Sequence, residues 1–490
     1  MKNPLAFRFP LCAVALCAAL GGCTALGPDY APETPLHPPS WSTPLPDAPN
    51  AGGEPLADWW QSFGDPVLDR LAGLALAHNQ DLGIAHQRLL QARAERDQVA
   101  SRLGPELGAG ADASASRSAR ALDYPPGIGE SRSYRLGLDA SWEIDLFGGR
   151  RRAAEAAQAQ AQAVEEDEHA LRVSLMAEVA ASYATLRATQ ERVLIARDNI
   201  ASLAAAQHLA ETACRHGLGT TVEVSQARAE RELGEARVPA LRGDEARLIH
   251  ALGVLAGGFP GDLKEILEAG PPTPMGAPAL PAGVPSEMLR NRPDILAAER
   301  RLAAASAQIG VAEAERFPKF VIPLSLGSAA SLVHDLFSDA SIAWSIGAGA
   351  SQSLYDGGRT RAGVRAALAH AQAQRLAYEQ SVRRAFQDVE DALAGLNAQR
   401  SRQAALAAAV RDSQTALDRS TRLYRNGLSG YLSVLTAQRA TYQARDALAL
   451  SRLAHVQHVI GLYKALGAGW QAPPARADSR GRDAAVAMQP

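Results

Sequence analysis

Tyr134-Arg135-Leu136-Gly137-Leu138-Asp139-Ala140-Ser141-Trp142-Glu143-Ile144-Asp145-Leu146 alternates apolar residues with polar or glycine residues at every step. Successive side chains of a strand point to opposite faces. This run, a strand at about 133–147, therefore has one apolar face throughout and one that carries Arg, Asp, Ser and Glu. Just upstream, Leu107, Ala109, Ala111, Ala113 and Ala115 alternate in the same way and give a strand at about 105–117. Such strands suit a membrane barrel with a wet lumen. A soluble sandwich strand would look the same in isolation.

Outward from the strands the period changes. Arg150 to His216 is 67 residues without glycine or proline, about 100 Å of helix at a rise of 1.5 Å per residue. It is dense in Ala, Gln, Arg and Glu, so it needs neighbours along its length, as in a coiled coil or helical barrel. Gly217-Leu218-Gly219 then turns the chain into a returning helix at 221–256, in which Pro239 and Gly243 predict a kink. Before the strands, Pro66 to about Leu103 shows helical spacing (Leu68, Leu71, Ala75, Leu82, Ala85, Leu89), weakened only by Gly73 and Gly83 and stopped by Gly104-Pro105.

This whole arrangement occurs twice. Asp81, Ala85, Arg88, Leu89, Ala92 and Pro105 recur as Asp294, Ala298, Arg301, Leu302, Ala305 and Pro318, and Gly148-Gly149-Arg150 recurs as Gly357-Gly358-Arg359. The first repeat spans 66–257 and the second 286–468, joined by a proline-rich linker at 258–285. The second predicts strands at about 319–328 and 341–355, a long helix at 359–426, the turn Gly427-Leu428-Ser429-Gly430 and a returning helix at 431–466. A unit of roughly 200 residues is too long for a solenoid and reads as a duplicated half-domain.

The termini say where the chain is sent. Residues 1–22 combine basic Lys2 and Arg8 with an apolar run Leu11–Leu20, too short to span a bilayer. They end Leu20-Gly21-Gly22-Cys23, the spacing of a lipoprotein signal, with Cys23 as the lipidated (palmitate-bearing) N-terminus and outer-membrane sorting favoured by Thr24. Residues 23–65 read as a proline-rich tether and equatorial segment, and 469–490 as a disordered tail. With Cys12 and Cys17 in the signal and Cys23 acylated, only Cys214 remains and no intramolecular disulfide can form. Removing the signal leaves 48 basic against 52 acidic residues. That near-neutral balance, without a basic stripe, argues against nucleic acid as a partner. No other stretch of about 18 apolar residues occurs, so any crossing of a membrane is by a barrel. Four strands cannot close a useful barrel and open edges cannot face lipid; three copies would supply twelve strands.

The motifs Gly27-Pro28-Asp29-Tyr30, Asp58-Trp59-Trp60, Phe63-Gly64-Asp65-Pro66, Asp145-Leu146-Phe147-Gly148, Arg292-Pro293-Asp294, Tyr355-Asp356-Gly357-Gly358-Arg359, Tyr424-Arg425-Asn426-Gly427 and Leu462-Tyr463-Lys464-Ala465-Leu466-Gly467 together resemble the TolC-like outer-membrane efflux proteins, nearest their NodT-type lipoprotein branch. The resemblance runs from Cys23 to about Trp470. It implies an internally duplicated α+β membrane protein: a homotrimer whose twelve-stranded outer-membrane barrel, four strands per protomer, continues into a long periplasmic α-helical coiled-coil barrel. It also implies a passive export duct for small molecules, coupled to a periplasmic adaptor (membrane fusion) protein and an inner-membrane pump of the RND type.

By the same resemblance, the turns at Gly217, Leu218 and Gly219 and at Gly427, Leu428 and Ser429 lie at the periplasmic end and dock the adaptor. Relatives often carry a ring of acids on the returning helix where this chain has Ser433 and Thr436. Here the gate is either an apolar constriction at Leu432 or a charge supplied by Glu223, and Tyr424 is placed to hold the closed state or simply to pack.

Catalytic motifs are absent: neither a Gly-x-Ser-x-Gly elbow nor a phosphate-binding Gly-x-x-x-x-Gly-Lys occurs, so neither enzymatic activity nor a cofactor is expected beyond the lipid on Cys23. His455 and His458 have helical ligand spacing but lack a third ligand, and they read as a solvated helix face. The acidic run Glu165 to Glu168 reads as facing water or a basic partner. Rival readings are a lipid-anchored coiled-coil scaffold without a channel and a periplasmic hydrolase. The duplicated strand pairs argue against the scaffold, and the missing nucleophile–base pair argues against the hydrolase.

Overall fold

The computed structural model describes residues 25–32, 38–44, 56–117, 119, 129–269, 275–276 and 291–470. The signal segment, Cys23, much of the linker and the tail beyond Trp470 lie outside them. In chain order the elements are α1 (Pro66–His78), α2 (Gln80–Ser101), β1 (Glu106–Arg117), β2 (Glu130–Ile144), α3 (Gly149–Arg215), α4 (Thr221–Leu255), α5 (Lys264–Glu268), α6 (Pro293–Ala314), β3 (Lys319–Ala330), β4 (Ile342–Ile346), β5 (Gly349–Ser351), α7 (Arg359–Arg425) and α8 (Tyr431–Ala465). A 3₁₀ segment, Leu56–Phe63, precedes α1. The chain divides into two compact units: Met1–Thr34, Arg88–Glu165 and Ala297–Glu379 form one, and Pro35–Gln87, Glu166–Leu296 and Gln380–Pro490 the other.

The first unit holds one antiparallel sheet in the order β1-β2-β3-β4, with β5 also beside β3. Its register aligns the apolar positions of every strand. Ala109 faces Leu138, Leu138 faces Leu326 and Leu326 faces Trp344, while Asp112 faces Arg135 and Asp139 faces Ser325 on the other side. The apolar face is bare: Leu107 is 69% and Trp344 72% exposed. A glycine row crosses the polar face at Gly110, Gly137 and Gly327. A Cβ on Gly327 would sit 2.5 Å from the Leu136 carbonyl oxygen, so this close approach of β2 and β3 admits only glycine there.

The expected fourth strand at 341–355 is interrupted and ends at Ser351. β4 and β5 nevertheless keep one register against β3, with Ile346 opposite Leu324 and Ala350 opposite Phe320. The gap lies across from Pro323, which has no N–H to give; Gly347 N–H still donates to the Pro323 carbonyl at 3.0 Å.

Below the sheet, the segment 25–32 is strapped onto the helices of the same unit. Leu26 N–H donates to the Phe147 carbonyl at 3.1 Å. The Arg152 guanidinium donates to the Leu26 carbonyl at 3.0 Å and pairs with Asp29 at 2.5 Å, and the Tyr30 hydroxyl donates to Glu299 at 2.6 Å. Gly27, at φ +86°, rests against Gly310, where a Cβ would come within 2.5 Å of the Gly310 Cα. Asp356 caps α7: its carboxylate accepts Gly358 N–H at 2.8 Å and Thr360 N–H at 2.9 Å. These two amides hold the Asp356 carboxyl down at about 2.

In the second unit the single helix expected over Pro66–Leu103 is two, and neither Gly73 nor Gly83 makes the break. Asn79 does: it ends α1 with φ −62° and ψ 128°, and its side chain accepts Leu82 N–H at 3.1 Å while donating to the Leu255 carbonyl at 3.0 Å. An Asn that caps the next helix competes with continuing the last one. Pro239, where a kink is expected, lies inside α4, which continues as one helix from Thr221 to Leu255. The linker, expected to be loop, contains α5, whose Leu267 is fully buried.

Lateral contacts fix how the long helices pack. Glu191, Arg192, Asp198 and Ser202 of α3 meet Arg452, Asp446, Arg445 and Gln438 of α8, so these helices run antiparallel. Glu230 of α4 pairs with Arg439 of α8 at 2.5 Å, and those two run parallel. The acidic run finds basic partners within the chain: Glu165 takes Arg93 at 2.9 Å, Glu166 takes His169 at 3.1 Å and Glu168 takes His86 at 3.4 Å. The Glu165–Arg93 and Glu168–His86 contacts join α3 to α2, whereas Glu166–His169 lies within α3; a solvent-exposed ion pair such as Glu165–Arg93 contributes roughly 0–1 kcal/mol. Among the described residues, no helix is long and apolar enough to cross a membrane.

Candidate functional site: the paired helix turns

Each long helix ends in the same way for the same reason. Gly217 and Gly427 both sit at φ +72°, the left-handed region that favours glycine. Around them, Leu218 N–H donates to the Ala213 carbonyl and Gly217 N–H to that of Cys214, while Leu428 N–H donates to Leu423 and Gly427 N–H to Tyr424. This pair of bonds is the Schellman ending, which usually comes with an apolar contact from the residue after the glycine. Here that residue points away: Leu218 is 84% and Leu428 72% exposed. The tip therefore presents two leucines to solvent, flanked by Val222 and Leu432, which are also exposed.

Beneath the leucines lies a compact core drawn from all four helices: Ala206, Ala210, Ala227, Leu417, Tyr424, Tyr431, Val434, Leu435 and Ala437. Tyr424 and Tyr431 meet edge-on, with centroids 5.6 Å apart at 64°. Both phenol oxygens are buried without a hydrogen-bond partner. Burial, then the charges of Glu223 and Cys214, pushes Tyr424 up; burial above all pushes Tyr431 up to about 12. Neither ionises near neutral pH.

Glu223 ties the two turns together. One carboxylate oxygen accepts Thr220 N–H at 3.0 Å while Thr220 Oγ1 accepts Glu223 N–H at 3.3 Å, a reciprocal capping box. The other oxygen accepts Tyr431 N–H at 3.4 Å, at the start of α8. That helix begins at Gly430, whose position offers no side-chain cap. A charge from the first repeat thus serves one orphan amide of the second, that of Tyr431.

The gate candidates divide accordingly. Leu432, Ser433 and Thr436 share the exposed face of α8, opposite buried Val434 and Leu435. Thr436 Oγ1 spends its proton on the Leu432 carbonyl at 2.8 Å. Tyr424 is in the core beneath, and Glu223 is held at the caps. Gly219 packs against the last turn of α3, where a Cβ would lie 3.3 Å from Cys214 N, and Ser429 Oγ is buried without a partner.

Sequence reading missed Tyr431 and the Glu230–Arg439 pair. Thr220-x-x-Glu223 carried the capping-box signature. Glu230 and Arg439 stand 209 residues apart, close to the repeat offset, which placed them side by side.

The two histidines on α8 do not form a solvated face. His455 Nδ1 is buried without a partner, and the His458 ring lies where a Cβ on Gly395 would fall, 2.3 Å from its Cε1. Gly395 in α7 is the gap that admits the imidazole. Among the described residues no cluster of three or more His, Cys, Asp or Glu is arranged to hold a metal ion.

The sequence matches the model of the outer membrane efflux protein family over residues 71–258 and 284–468, two segments that follow the two repeats. The pyoverdine export outer membrane protein OpmQ of Pseudomonas putida is 34% identical over 475 residues, covering 94% of this chain and 98% of that protein. The toluene efflux pump outer membrane protein TtgI, also of Pseudomonas putida, is 32% identical, covering 92% and 96%. Among solved structures, the outer-membrane channel OprN superposes with a TM-score of 0.85 at 35% identity, covering 91% of this chain and 100% of that one.

Proposed function

This chain belongs to the outer membrane efflux protein family, and from that premise we infer that it is the outer-membrane channel of an efflux system. The observation that carries the reading is the sheet: four strand positions, both edges unpaired among the described residues, and an apolar face exposed at Leu107, Leu138, Leu326 and Trp344. An open edge is untenable in lipid. Three copies pairing edge to edge would close a twelve-stranded barrel, apolar outside and lined by Asp112, Arg135, Asp139 and Ser325. Leu26, bonded to Phe147 at the foot of β2, supports a lipid anchor on Cys23 at the inner edge of that barrel. The helices would extend into the periplasm, and the exposed leucines of the two turns offer an apolar docking surface to an adaptor protein linked to an inner-membrane pump, of the RND type by family resemblance.

The duct is passive in this reading, and its gate is the exposed α8 face at Leu432, Ser433 and Thr436, where Leu432 supplies an apolar constriction that resists wetting. Cargo is set elsewhere: pyoverdine and toluene, named for two relatives, share so little chemistry that the pump is the natural selector. Single-channel conductance in a planar bilayer tests this. A small wild-type conductance that rises sharply in the Leu432→Ala, Thr436→Ala double variant is expected. No conductance in either, from folded protein, would sink the gate at this face.

A further inference from the structure

The internal repeat fixes more than the number of strands. Within the first repeat Leu107 faces Ala140 and Ala111 faces Leu136; within the second, Phe320 faces Ala350 and Leu324 faces Ile346. The ascending strand of one repeat thus maps onto that of the other by 213 positions, and the descending strand by 210. The contact between the repeats, β2 on β3, pairs Arg135 with Ala329, Gly137 with Gly327 and Ala140 with Leu324. Among the described residues it is the only descending-to-ascending contact of the sheet. The edge formed by β4 and β5 descends and the edge β1 ascends, so two copies brought together would make a second contact of this kind.

We propose that β1 of one copy pairs with the β4–β5 strand of the next in the register the repeat dictates: Ser345 opposite Ser116, Gly347 opposite Ser114, Ala350 opposite Ala111. The assignment rests on the shared-barrel reading above and adds its seam.

Two independent features agree with it. In an antiparallel sheet a residue's N–H and C=O point to one side, and the side alternates along the strand. Gly347 N–H is spent on Pro323, so odd-numbered residues of this strand face β3 and even-numbered ones, including Ala350, face the open edge. The Asp139 carbonyl oxygen lies 3.9 Å from a Cβ on Gly108, so even-numbered residues of β1 are the ones turned to β2, and odd-numbered ones, including Ala111, are free. The register therefore brings free donors and acceptors together. It also sets Ile346 and Ala350 beside Ala115 and Ala111 on the apolar face, and Gly349 beside Asp112 on the polar one. A slip of one residue would violate both conditions. A slip of two would satisfy both, and only the repeat excludes it.

Disulfide trapping separates these registers. In a Cys214→Ser background, Ser345→Cys is combined with Ser116→Cys, the matched pair, or with Ser114→Cys, a slip of two; all three changes replace an oxygen by sulfur. Ser345→Cys alone controls for every other thiol. Side chains directly opposite lie about 4.5–5.5 Å apart at Cβ and diagonal ones about 7–8 Å, against about 3.5–4.5 Å for a disulfide. With copper phenanthroline as oxidant, the matched pair is expected to give reducible covalent dimers and trimers roughly tenfold faster than the slipped pair. Gly347→Cys with Ser114→Cys should behave like the matched pair. Preferential trapping of Ser345 with Ser114 in a trimeric protein would overturn the register and leave the barrel standing. No trapping by any pair in a trimer would overturn strand pairing at the seam. A monomer under native detergent conditions would instead overturn the shared-barrel reading itself.

Discussion

Glu223 accepts the backbone N–H of Tyr431, 208 residues further along the chain, on the carboxylate whose other oxygen closes the capping box at Thr220. One side chain thereby finishes two helices, and the paired turns behave as one structural unit. Losing a helix cap costs on the order of 1 kcal/mol. Glu223→Ala is expected to lower the thermal unfolding midpoint of the helical signal and to raise basal conductance. Glu223→Gln, which keeps an acceptor for one of the two amides, should fall between Ala and wild type. If Gln proved as damaging as Ala in conductance yet neutral in unfolding, the charge and not the cap would be what matters at the tip.

The buried phenols make an opposite prediction for two small changes. A buried polar atom without a partner costs about 1–3 kcal/mol, and Tyr424 and Tyr431 each carry one. Tyr424→Phe and Tyr431→Phe should leave stability unchanged or raise it. Tyr431→Ala should lose on the order of 3–5 kcal/mol by opening a cavity among Val434, Leu435 and Ala210. Denaturant titration followed by circular dichroism reads all three. A clear loss in either Phe variant would mean that the hydroxyl finds its partner on a neighbouring protomer.

These cases show what the bare sequence could carry. The 67-residue α3 was legible because Arg150–His216 contains neither glycine nor proline, and the turns were legible because a left-handed ending calls for glycine at Gly217 and Gly427. The strands followed from period-two alternation. What escaped depended on contacts outside the local pattern: Asn79 broke a helix while bonding Leu255, and Pro323 interrupted the neighbouring strand by having no N–H to give. Gly395, inside the long α7, makes room for the His458 ring, a role no local pattern announces. At the tip, one residue, Glu223, stood out for its charge, whereas geometry gives it a backbone role.

Asp356 predicts an acid-side dependence at the head of α7. Its carboxyl is held at about 2, against an ordinary 3.8, by the amides of Thr360 and Gly358. Because the folded value is the lower one, the stabilisation is complete above about pH 4 and is lost as pH falls towards 2. Asp356→Asn keeps an acceptor that does not titrate, so its unfolding midpoint should change less than that of wild type between pH 5 and pH 2.5. Asp356→Ala should be less stable than both at pH 5. Equal acid sensitivity in wild type and Asn variant would remove Asp356 from the explanation.

His455 predicts a second dependence, in a separate window. Burial, then Arg400 and His458 nearby, lowers its pKa below the ordinary 6.5. The unfolded chain therefore binds the proton more readily than the folded one, and stability falls as pH drops below about 6.5. The neutral ring is the native form, packed on α8 with Nδ1 unpartnered. Replacing it by leucine removes both the titration and the unsatisfied nitrogen. His455→Leu should match or exceed the wild-type unfolding midpoint at pH 7.5 and lose less than wild type on going to pH 5.0. Since Asp356 stays ionised throughout that interval, the two variants separate the two limbs of the pH curve. An unchanged loss between pH 7.5 and 5.0 in His455→Leu would remove His455 from the explanation of this limb.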